Sequence, residues 1–434
     1  MGSSPSPAAQ TVLVCALIGT AQMTWGVTVP VLPLYLSSYG MAVGLLGTVV
    51  AAFAVGRVIA NVPAGLALRR LPPRRYLWSV MLALSAVTAL TGLAHSAPAL
   101  LAIRLVAGLF GGAAVTVGFA LLIAGAPPGR RGAALATATV VQMSAGAAGS
   151  VLGGAIVGVI GPAWTFPVAA LPALACLLWD AARPATLYWS APVGRPAPRS
   201  PGAPAAMASG RHLRFFGDVG RLTGQGYTGG LLVALCAVSF ATFLVRFAGE
   251  QGLIPVLAYD SGGLTPFTLG LATAAGTLVS LGAMPLIGRS VDRGARNILL
   301  IPAGIAGAVA LLALPLLRVP AGFGAAIVLY SLATSVIGVL PGVVAGDAYP
   351  AEATGAVIGL TRTAGDIGAA VGPVGVFAVA ALAGYPAAGA LLAALFLVAA
   401  AWLAVAIRPT TGRQYHGDRL EPALVHARST SAGT

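Results

Sequence analysis

Long apolar runs dominate this sequence of 434 residues and are the feature that most restricts its fold. The runs are about twenty residues or longer, the length that an α-helix needs to cross a hydrocarbon layer of about 30 Å. Only 8% of the residues are charged, whereas soluble domains carry about 25%. A membrane barrel would alternate polar and apolar residues within segments of about ten. The sequence therefore predicts an all-α integral membrane protein.

Turn residues and arginines divide the apolar sequence into twelve predicted spans. The spans cover residues 11–36, 43–67, 76–94, 98–124, 133–160, 163–182, 229–258, 266–288, 297–317, 321–346, 355–383 and 386–407. A polar stretch rich in Pro, Ala, Gly and Ser separates the first six from the last six, and this composition is typical of a flexible linker. The predicted regions are a tail at 1–10, a six-helix bundle at 11–182, the linker at 183–228, a second six-helix bundle at 229–407 and a tail at 408–434.

The basic residues predict the orientation of the chain in the membrane. All 24 of them are arginines. If the N-terminus is cytoplasmic, nineteen arginines lie in cytoplasmic segments, four lie within spans, and only Arg318 lies in an outer loop. This asymmetry follows the positive-inside rule. We therefore expect a multi-pass protein of the inner (cytoplasmic) membrane with both termini and the linker in the cytoplasm. The same distribution explains the net charge of +14 without a nucleic-acid partner.

The residue types exclude several kinds of chemistry. Because the sequence contains no lysine, it has neither a Walker A nucleotide site nor a lysine Schiff base. The three cysteines lie singly in apolar runs and the four histidines lie outside the spans, so no metal or redox cluster is expected. We expect no cofactor and a chain that acts as a monomer in the lipid bilayer. A membrane enzyme or a sensor is disfavoured, since neither a catalytic cluster nor a soluble output domain is present.

Glycines indicate that the two halves are repeats of each other. Pairs of glycines recur at an offset of 223 residues, in spans 2 and 8, in spans 5 and 11, and in the loops that follow spans 2 and 8. The pairs are Gly47 and Gly270, Gly132 and Gly355, Gly149 and Gly372, and Gly65 and Gly288. Parallel six-helix halves are known in one large class of transporters.

Short motifs recur in the expected spans. Span 1 ends VPVLPLYL, with Pro30 and Pro33. The loop after span 2 reads GLALRRLPPRR from Gly65, and the loop after span 8 reads GRSVDRGAR from Gly288 and contains Asp292 and Arg293. Span 4 carries RLVAGLFGG, with Arg104 and Gly108. Span 5 carries GSVLGG, with Gly149 and Gly153, and span 11 carries Gly372 and Pro373.

Together these motifs resemble the major facilitator superfamily, and more narrowly its twelve-span drug:proton antiporter branch. The resemblance covers roughly residues 11–407 and implies two pseudo-symmetric six-helix bundles. Three positions depart from the family pattern. Arg69 replaces the usual aspartate and Pro72 the usual glycine in the first loop motif, and Ser150 replaces the proline of the span 5 motif.

Ionisable groups inside spans are costly, so each is a candidate for proton coupling. Glu250 and Arg246 are four residues apart and share a helical face. They form either a proton site or a permanent ion pair. For Arg104 the resemblance implies proton transfer or substrate contact, and the alternative is an arginine satisfied by backbone carbonyls. Asp366, near the inner end of span 11, is the remaining candidate.

Other polar residues are candidates for an inner gate or for the substrate cavity. The predicted inner-gate residues are Arg57, Asn61, Asp292, Arg293, Asp347 and Arg362. The predicted cavity residues are Gln22, Trp25, Gln142 and Gln251. For each cavity residue an interhelical hydrogen bond is the alternative.

The motifs favour proton-driven export of a small hydrophobic or amphipathic compound, such as a drug or secondary metabolite. The spans carry few charged groups, which favours an apolar substrate over a polar one. An importer or facilitator of a nutrient such as a sugar or an organic acid is the alternative.

Overall fold

A computed structural model describes residues 6–68, 70–126, 131–190, 226–293, 296–349 and 351–407. Arg69, most of the predicted linker and the C-terminal tail lie outside the described residues, as does the side chain of Asp292. Within the described chain the regular elements are all helices. The predicted all-α fold is therefore confirmed.

Six long helices and one short helix form the first half. They are α1 (Pro7–Ser38), α2 (Leu45–Ala67), α3 (Pro73–Thr91), α4 (Ala97–Gly125), α5 (Arg131–Ile160), α6 (Pro162–Ala182) and α7 (Thr186–Trp189). α1 begins four residues before the predicted span, because the Ser6 hydroxyl caps it by accepting the Ala9 N–H at 3.3 Å.

The second half repeats this arrangement. α8 (Gly226–Ala248), a π-helical turn (Gly249–Leu253) and α9 (Ile254–Asp260) form one continuous rod, followed by α10 (Pro266–Asp292), α11 (Arg296–Ala313), a 3₁₀ turn (Leu314–Leu316), α12 (Pro320–Ala348) and α13 (Ala351–Ile407). Gly384 has a non-helical backbone and divides α13 into two helices, 351–383 and 385–407.

The helices account for twelve membrane spans. Ten helical stretches of the described chain are long and apolar enough to cross a membrane, and the broken α13 is one of them although it holds two spans. α3 is the twelfth span. Arg74 and Arg75 at its start make it less apolar than the others.

Backbone conformation reveals the internal repeat directly. Among the described residues, positive φ angles occur only at four glycines. Gly161 and Gly384 have φ of 81° and 83°, and Gly40 and Gly263 have φ of 64° and 66°. The members of each pair are 223 residues apart, the offset predicted from the sequence. Because only glycine adopts such angles without strain, each half requires glycine at the same two chain reversals.

Glycine also sets the contact between the halves. A side chain on Gly47 of α2 would collide with the carbonyl of Pro373 in α13, and one on Gly270 of α10 would collide with the carbonyl of Ser150 in α5. These two contacts are equivalent under the 223-residue repeat. In each half, one glycine at an equivalent position therefore packs against the backbone of the other half.

Asp180 fixes the end of α6 to its surroundings. Its carboxylate is fully buried and accepts hydrogen bonds from Arg74 Nε at 2.7 Å, from Trp78 Nε1 and Trp189 Nε1, both at 2.8 Å, and from the Ala185 N–H at 3.1 Å. Since four donors satisfy this carboxylate, Asp180 joins α3, α6 and α7 as a structural anchor.

Candidate substrate cavity

A cavity of about 440 Å³ lies between the two halves. Side chains of α1, α2 and α5 form its wall on one side, and those of the α8–α9 rod, α10, α12 and α13 form the other. It extends from the middle of the helices towards the face that carries the α2–α3 and α10–α11 loops, which we call the arginine-rich face. The loops at Gly40, Gly161, Gly263 and Gly384 lie at the opposite face.

The opposite face is closed by contacts between the halves. The Tyr259 hydroxyl donates a hydrogen bond to the Pro30 carbonyl at 2.6 Å, and the Thr28 hydroxyl donates one to Gln251 Oε1 at 3.1 Å. Thr28 and Gln251 are themselves 223 residues apart. Equivalent residues meet only near the axis that relates two halves, so this bond lies at that axis.

At the arginine-rich face, Asn61 and Asp366 join the halves by one hydrogen bond, but the glycines of the loop motifs make no close contact. A Cβ atom added to Gly65, Gly288 or Gly342 would meet no heavy atom within 4 Å. The glycines Gly65 and Gly288 of the two loop motifs thus make no close helix contact here, unlike Gly47 and Gly270. The cavity therefore opens towards the arginine-rich face.

A row of aromatic rings crosses between the halves at the cavity. Trp25 of α1 packs against Phe53 of α2 and Phe247 of α8, with ring centroids 4.7 Å apart in both contacts. A guanidinium group lies over each end of the row: Arg104 is 4.6 Å from the Phe53 ring, and Arg57 is 5.7 Å from the Phe247 ring. Two cations are thus held against aromatic faces. Trp25 is half-buried at the cavity wall, as predicted for a cavity residue.

Arg104 lies inside the first half, behind Phe53. Its side chain is only 3% exposed, and its Nε and one terminal nitrogen have no hydrogen-bond partner among the described residues. The alternative of an arginine fully satisfied by carbonyls therefore does not hold in this conformation. Gly108, one turn along α4, packs against the backbone of Phe53 and brings α4 close to α2.

Glu250 and Arg246 meet at the irregular part of the α8–α9 rod. Arg246 Nε donates to Glu250 Oε1 at 3.3 Å, and both side chains line the cavity. Glu250 lies in the π-helical turn, where Pro255 in the following turn supplies no N–H for the regular ladder. π-Helical turns occur frequently at functional sites. The predicted pair is therefore formed and is accessible from the cavity.

Asp366 makes a contact that the sequence did not predict. Its carboxylate is 7% exposed and accepts a hydrogen bond from Asn61 Nδ2 of the other half at 3.0 Å. Thr116 donates to the Asn61 side-chain oxygen at 3.3 Å and orients the amide. Arg57 interacts electrostatically with Asp366. Arg362, four residues before Asp366, is not within ion-pair distance of it, and both Arg57 and Arg362 line the cavity.

The predicted glutamines form interhelical bonds at the cavity wall. Gln142 Nε2 of α5 donates to Gln22 Oε1 of α1 at 3.1 Å, and both residues line the cavity. Gln251 is 2% exposed and binds Thr28 across the halves. All three glutamines thus line the cavity and also form an interhelical hydrogen bond.

Ser150 replaces the proline of the span 5 motif and has a defined partner. Its hydroxyl donates to the Gly26 carbonyl of α1 at 3.0 Å. That carbonyl has no regular helical donor, because the residue four positions later is Pro30. The motif glycines beside it, Gly149 and Gly153, pack onto the α1 backbone, and Gly372 packs onto Leu244 of α8. Pro33, like Pro30, lies inside α1.

The remaining predicted gate residues lie away from the cavity wall. Asp347 is exposed in the last turn of α12, and Arg293 is exposed at the end of α10. Neither lines the cavity.

Two rows of hydroxyls at the cavity were missed by the sequence reasoning. They are Thr273, Thr277 and Ser280 on α10, and Ser331, Thr334 and Ser335 on α12. The hydroxyls of Thr277 and Ser280 donate to carbonyls of their own helix at 3.1 and 2.8 Å. The lone pairs of the half-buried Thr277 therefore remain available to a ligand, whereas Ser280 is fully buried. Spacings of three and four residues, which place hydroxyls on one helical face, were the signal that would have found them.

Twelve spans in two equivalent bundles around a cavity open at one face define a membrane transporter of the two-bundle type. Comparison with known proteins then identifies the family. Residues 14–373 and 235–431 match the model of the Major Facilitator Superfamily, and the chain belongs to this family.

One curated relative is a chloramphenicol resistance protein of Streptomyces lividans. It is 30% identical over 310 residues, which are 70% of each chain. Similar solved structures include a bacterial homolog of the human lysosomal transporter Spinster in an inward-facing, unoccupied conformation, with a TM-score of 0.66, 17% identity, and coverage of 94% of this chain and 98% of that one. The nucleoside transporter NupG has a TM-score of 0.67 and 11% identity over 92% of this chain and 99% of its own. At these identities the structures support the fold alone.

Proposed function

We propose that this chain is a secondary active transporter that exports a small amphipathic compound in exchange for protons. The observation that carries the proposal is the cavity between the halves, which is closed at one face, open at the other and lined by an ion pair. Its volume of about 440 Å³ suits a drug-sized molecule. The chloramphenicol resistance protein among the relatives favours export of such compounds.

The way that glycines pack at the two faces supports alternating access. Gly47 and Gly270 lie against the other half near the opposite face, whereas Gly65 and Gly288 lie in open space at the arginine-rich face. Rocking one bundle against the other would exchange these packed and open sets. Gly65 and Gly288 would then provide the close approach that shuts the arginine-rich face.

Two carboxylates are candidates for the proton site, and their partners differ. Glu250 is paired with Arg246 of its own helix and faces the cavity. A substrate that enters beside this pair changes its hydration and hence its affinity for a proton. Asp366 is bonded to Asn61 of the other half. Protonation of Asp366 would weaken its attraction to Arg57, and so would couple the proton to the contact between the halves.

Transport assays with carboxylate variants test the proposal. In everted vesicles, addition of chloramphenicol should release protons from the lumen of energised vesicles, read with a pH-sensitive dye. Glu250→Gln should abolish proton-coupled uptake and leave downhill exchange measurable, because it keeps the shape and removes the titration. Asp366→Asn tests the second site in the same way. Asp260→Asn, an exposed carboxylate at the end of α9, is the control and should behave as the parent chain.

The outcomes separate the candidates. Loss of uphill transport only in Glu250→Gln assigns coupling to the cavity pair, and loss only in Asp366→Asn assigns it to the contact with Asn61. If both variants still accumulate substrate against a gradient, proton coupling through these residues is wrong.

The hydroxyl rows favour a second candidate, a transporter of polar nutrients. Four of these six hydroxyls, on Thr273, Thr277, Ser331 and Ser335, are only partly buried and offer acceptors to a sugar or a nucleoside. Accumulation of radiolabelled uridine or glucose by whole cells, with no movement of chloramphenicol in everted vesicles, would favour this function over export.

We also propose that the arginine-rich face is cytoplasmic, in the inner membrane, because nineteen of the 24 arginines fall in segments on that side. Alkaline phosphatase fused after Gly412 should be inactive, since the C-terminal tail then lies in the cytoplasm. A fusion after Arg318 should be active. The reverse pattern of activities would show the opposite topology, in which the open face of the cavity lies outside the cytoplasm.

A further inference from the structure

The charges at the cavity wall do not cancel. Arg57, Arg246 and Arg362 line the cavity, whereas Glu250 is the one carboxylate among the described lining residues. Glu250 is paired with Arg246 at 3.3 Å. Within the described chain, Arg57 and Arg362 have no carboxylate at ion-pair distance. Two cations at the wall therefore remain without a paired anion.

The arginines at the wall contribute to one positive potential. Arg57 interacts electrostatically with both Arg362 and Arg246. Asp366 offsets part of this charge, but its carboxylate is buried and already accepts the Asn61 amide, so it does not form part of the wall. Like charges held together in a low-dielectric cavity raise its positive potential and favour a bound anion.

The aromatic row places apolar surface beside these arginines. Arg57 covers the Phe247 ring, and Trp25 is packed between Phe247 and Phe53. Trp25 is only half-buried, so part of its ring is accessible from the cavity. Arg104, on the far side of Phe53, adds a further cation without a described ion-pair partner.

From these features we infer that the cavity selects amphipathic organic acids: molecules with one anionic group, a planar apolar body and hydroxyl or amide donors. The anion would bind the guanidinium groups of Arg57 and Arg362. The apolar body would pack against Trp25 and Phe247, and the donors would reach the hydroxyl rows of α10 and α12. This inference rests on the proposed role of the cavity as the substrate site.

Three derivatives of one skeleton separate charge from size. Chloramphenicol is neutral, its acetate ester is larger and neutral, and its succinate monoester carries a carboxylate. Calorimetry measures the binding of each compound to the purified full-length chain in detergent. This measurement requires no proton gradient. The affinity for the succinate ester should exceed that for the acetate ester by about tenfold or more, the range expected for one charge-assisted hydrogen bond.

Variants of Arg362 assign the preference to the cluster. Arg362→Gln should weaken binding of the succinate ester by about tenfold and leave the acetate ester unchanged. Arg362→Lys keeps the charge and should restore most of the preference. Arg318→Gln, at an exposed position before α12, is the matched control and should alter neither affinity. Since Arg362 is exposed to the cavity, these variants should elute as the parent chain in gel filtration.

Two results would overturn the inference: equal or tighter binding of the acetate ester by the parent chain, or equal weakening of both esters in Arg362→Gln. The first would show that the arginines serve a gate and not a ligand, and the second that Arg362 supports the fold. Either result leaves proton-coupled export of a neutral compound intact. Conversely, a preference for the succinate ester without proton-driven movement of any derivative would retain the inference and reject the proposed export.

Discussion

The two halves share one backbone design but hold different charges. Their left-handed glycines agree in φ to within 2°, and the glycine contacts between the halves repeat as well. The charged residues inside the spans do not repeat, although Arg70 and Arg293 of the loop motifs do. At the 223-residue offset Arg57, Arg104, Asp180, Glu250 and Asp366 correspond to Ser280, Ile327, Leu403, Val27 and Met143. The path of the helices and the chemistry of the site are thus separate requirements. The same glycines are needed in both halves, whereas each charged side chain occurs in one half with its own partners. Substitutions of the shared glycines and of the unshared polar residues therefore test this separation, and are ordered below by their expected effect on stability.

Asp180→Leu gives the first half the residue that the second half has at the equivalent position, Leu403. It removes a fully buried acceptor with four donors and leaves Trp78 Nε1 and Trp189 Nε1 without a partner. We expect the free energy of unfolding to fall by about 3 kcal/mol or more. Thermal unfolding of the purified protein in detergent measures this loss. Leu403→Ala, a buried apolar truncation in the other half, is the comparison for simple loss of volume. An unchanged melting temperature in Asp180→Leu would mean that α7 is not held by this carboxylate.

Gly161→Val and Gly384→Val break the same chain reversal in each half. A valine cannot adopt φ near 80° without strain, so each should cost about 1–3 kcal/mol. Because the two backbones match, the two costs should also match, again as shifts in melting temperature. Gly158→Val, where a side chain would meet open space in a regular helix, is the control. A large cost at only one of the two positions would show that the halves bear this strain differently.

Ser150→Ala removes the donor to the Gly26 carbonyl, which Pro30 leaves without a helical partner. The expected cost is about 1 kcal/mol. In a Pro30→Ala background the helix can supply its own N–H, so the same change at Ser150 should cost much less. The difference between the two backgrounds forms a double-mutant cycle. Equal costs in both would show that the hydroxyl contributes by packing alone.

Arg104→Met should have the smallest effect on stability and a large effect on transport. The guanidinium is buried with two nitrogens unpaired, so an apolar side chain of similar length should leave stability unchanged or raise it. Transport should be lost if this charge serves the cycle, because an unpaired buried cation needs a function to be retained. Melting temperature and uptake in vesicles are measured on the same preparation. Full transport by Arg104→Met would reduce Arg104 to a packing residue over Phe53.

The sequence alone predicted what depends on local composition. Span positions followed from apolar length, and the repeat followed from glycine spacing, as Gly161 and Gly384 now illustrate in the backbone. Contacts between distant segments were not predictable in this way. The bond between Asn61 and Asp366 joins residues 305 positions apart, and no local pattern relates them. Asp180 lay at a predicted span end with no local sign of a role, because its four donors come from α3, from α7 and from the turn between α6 and α7.

The row of rings between the halves has an optical consequence. The indole of Trp25 touches Phe53 of its own half and Phe247 of the other at the same centroid distance. Its emission should therefore shift whenever the halves separate, because Phe247 departs and water takes its place. The protein has six tryptophans, so the difference spectrum between the parent chain and Trp25→Phe isolates this one. Trp25 is thus an intrinsic fluorophore at the contact between the two halves.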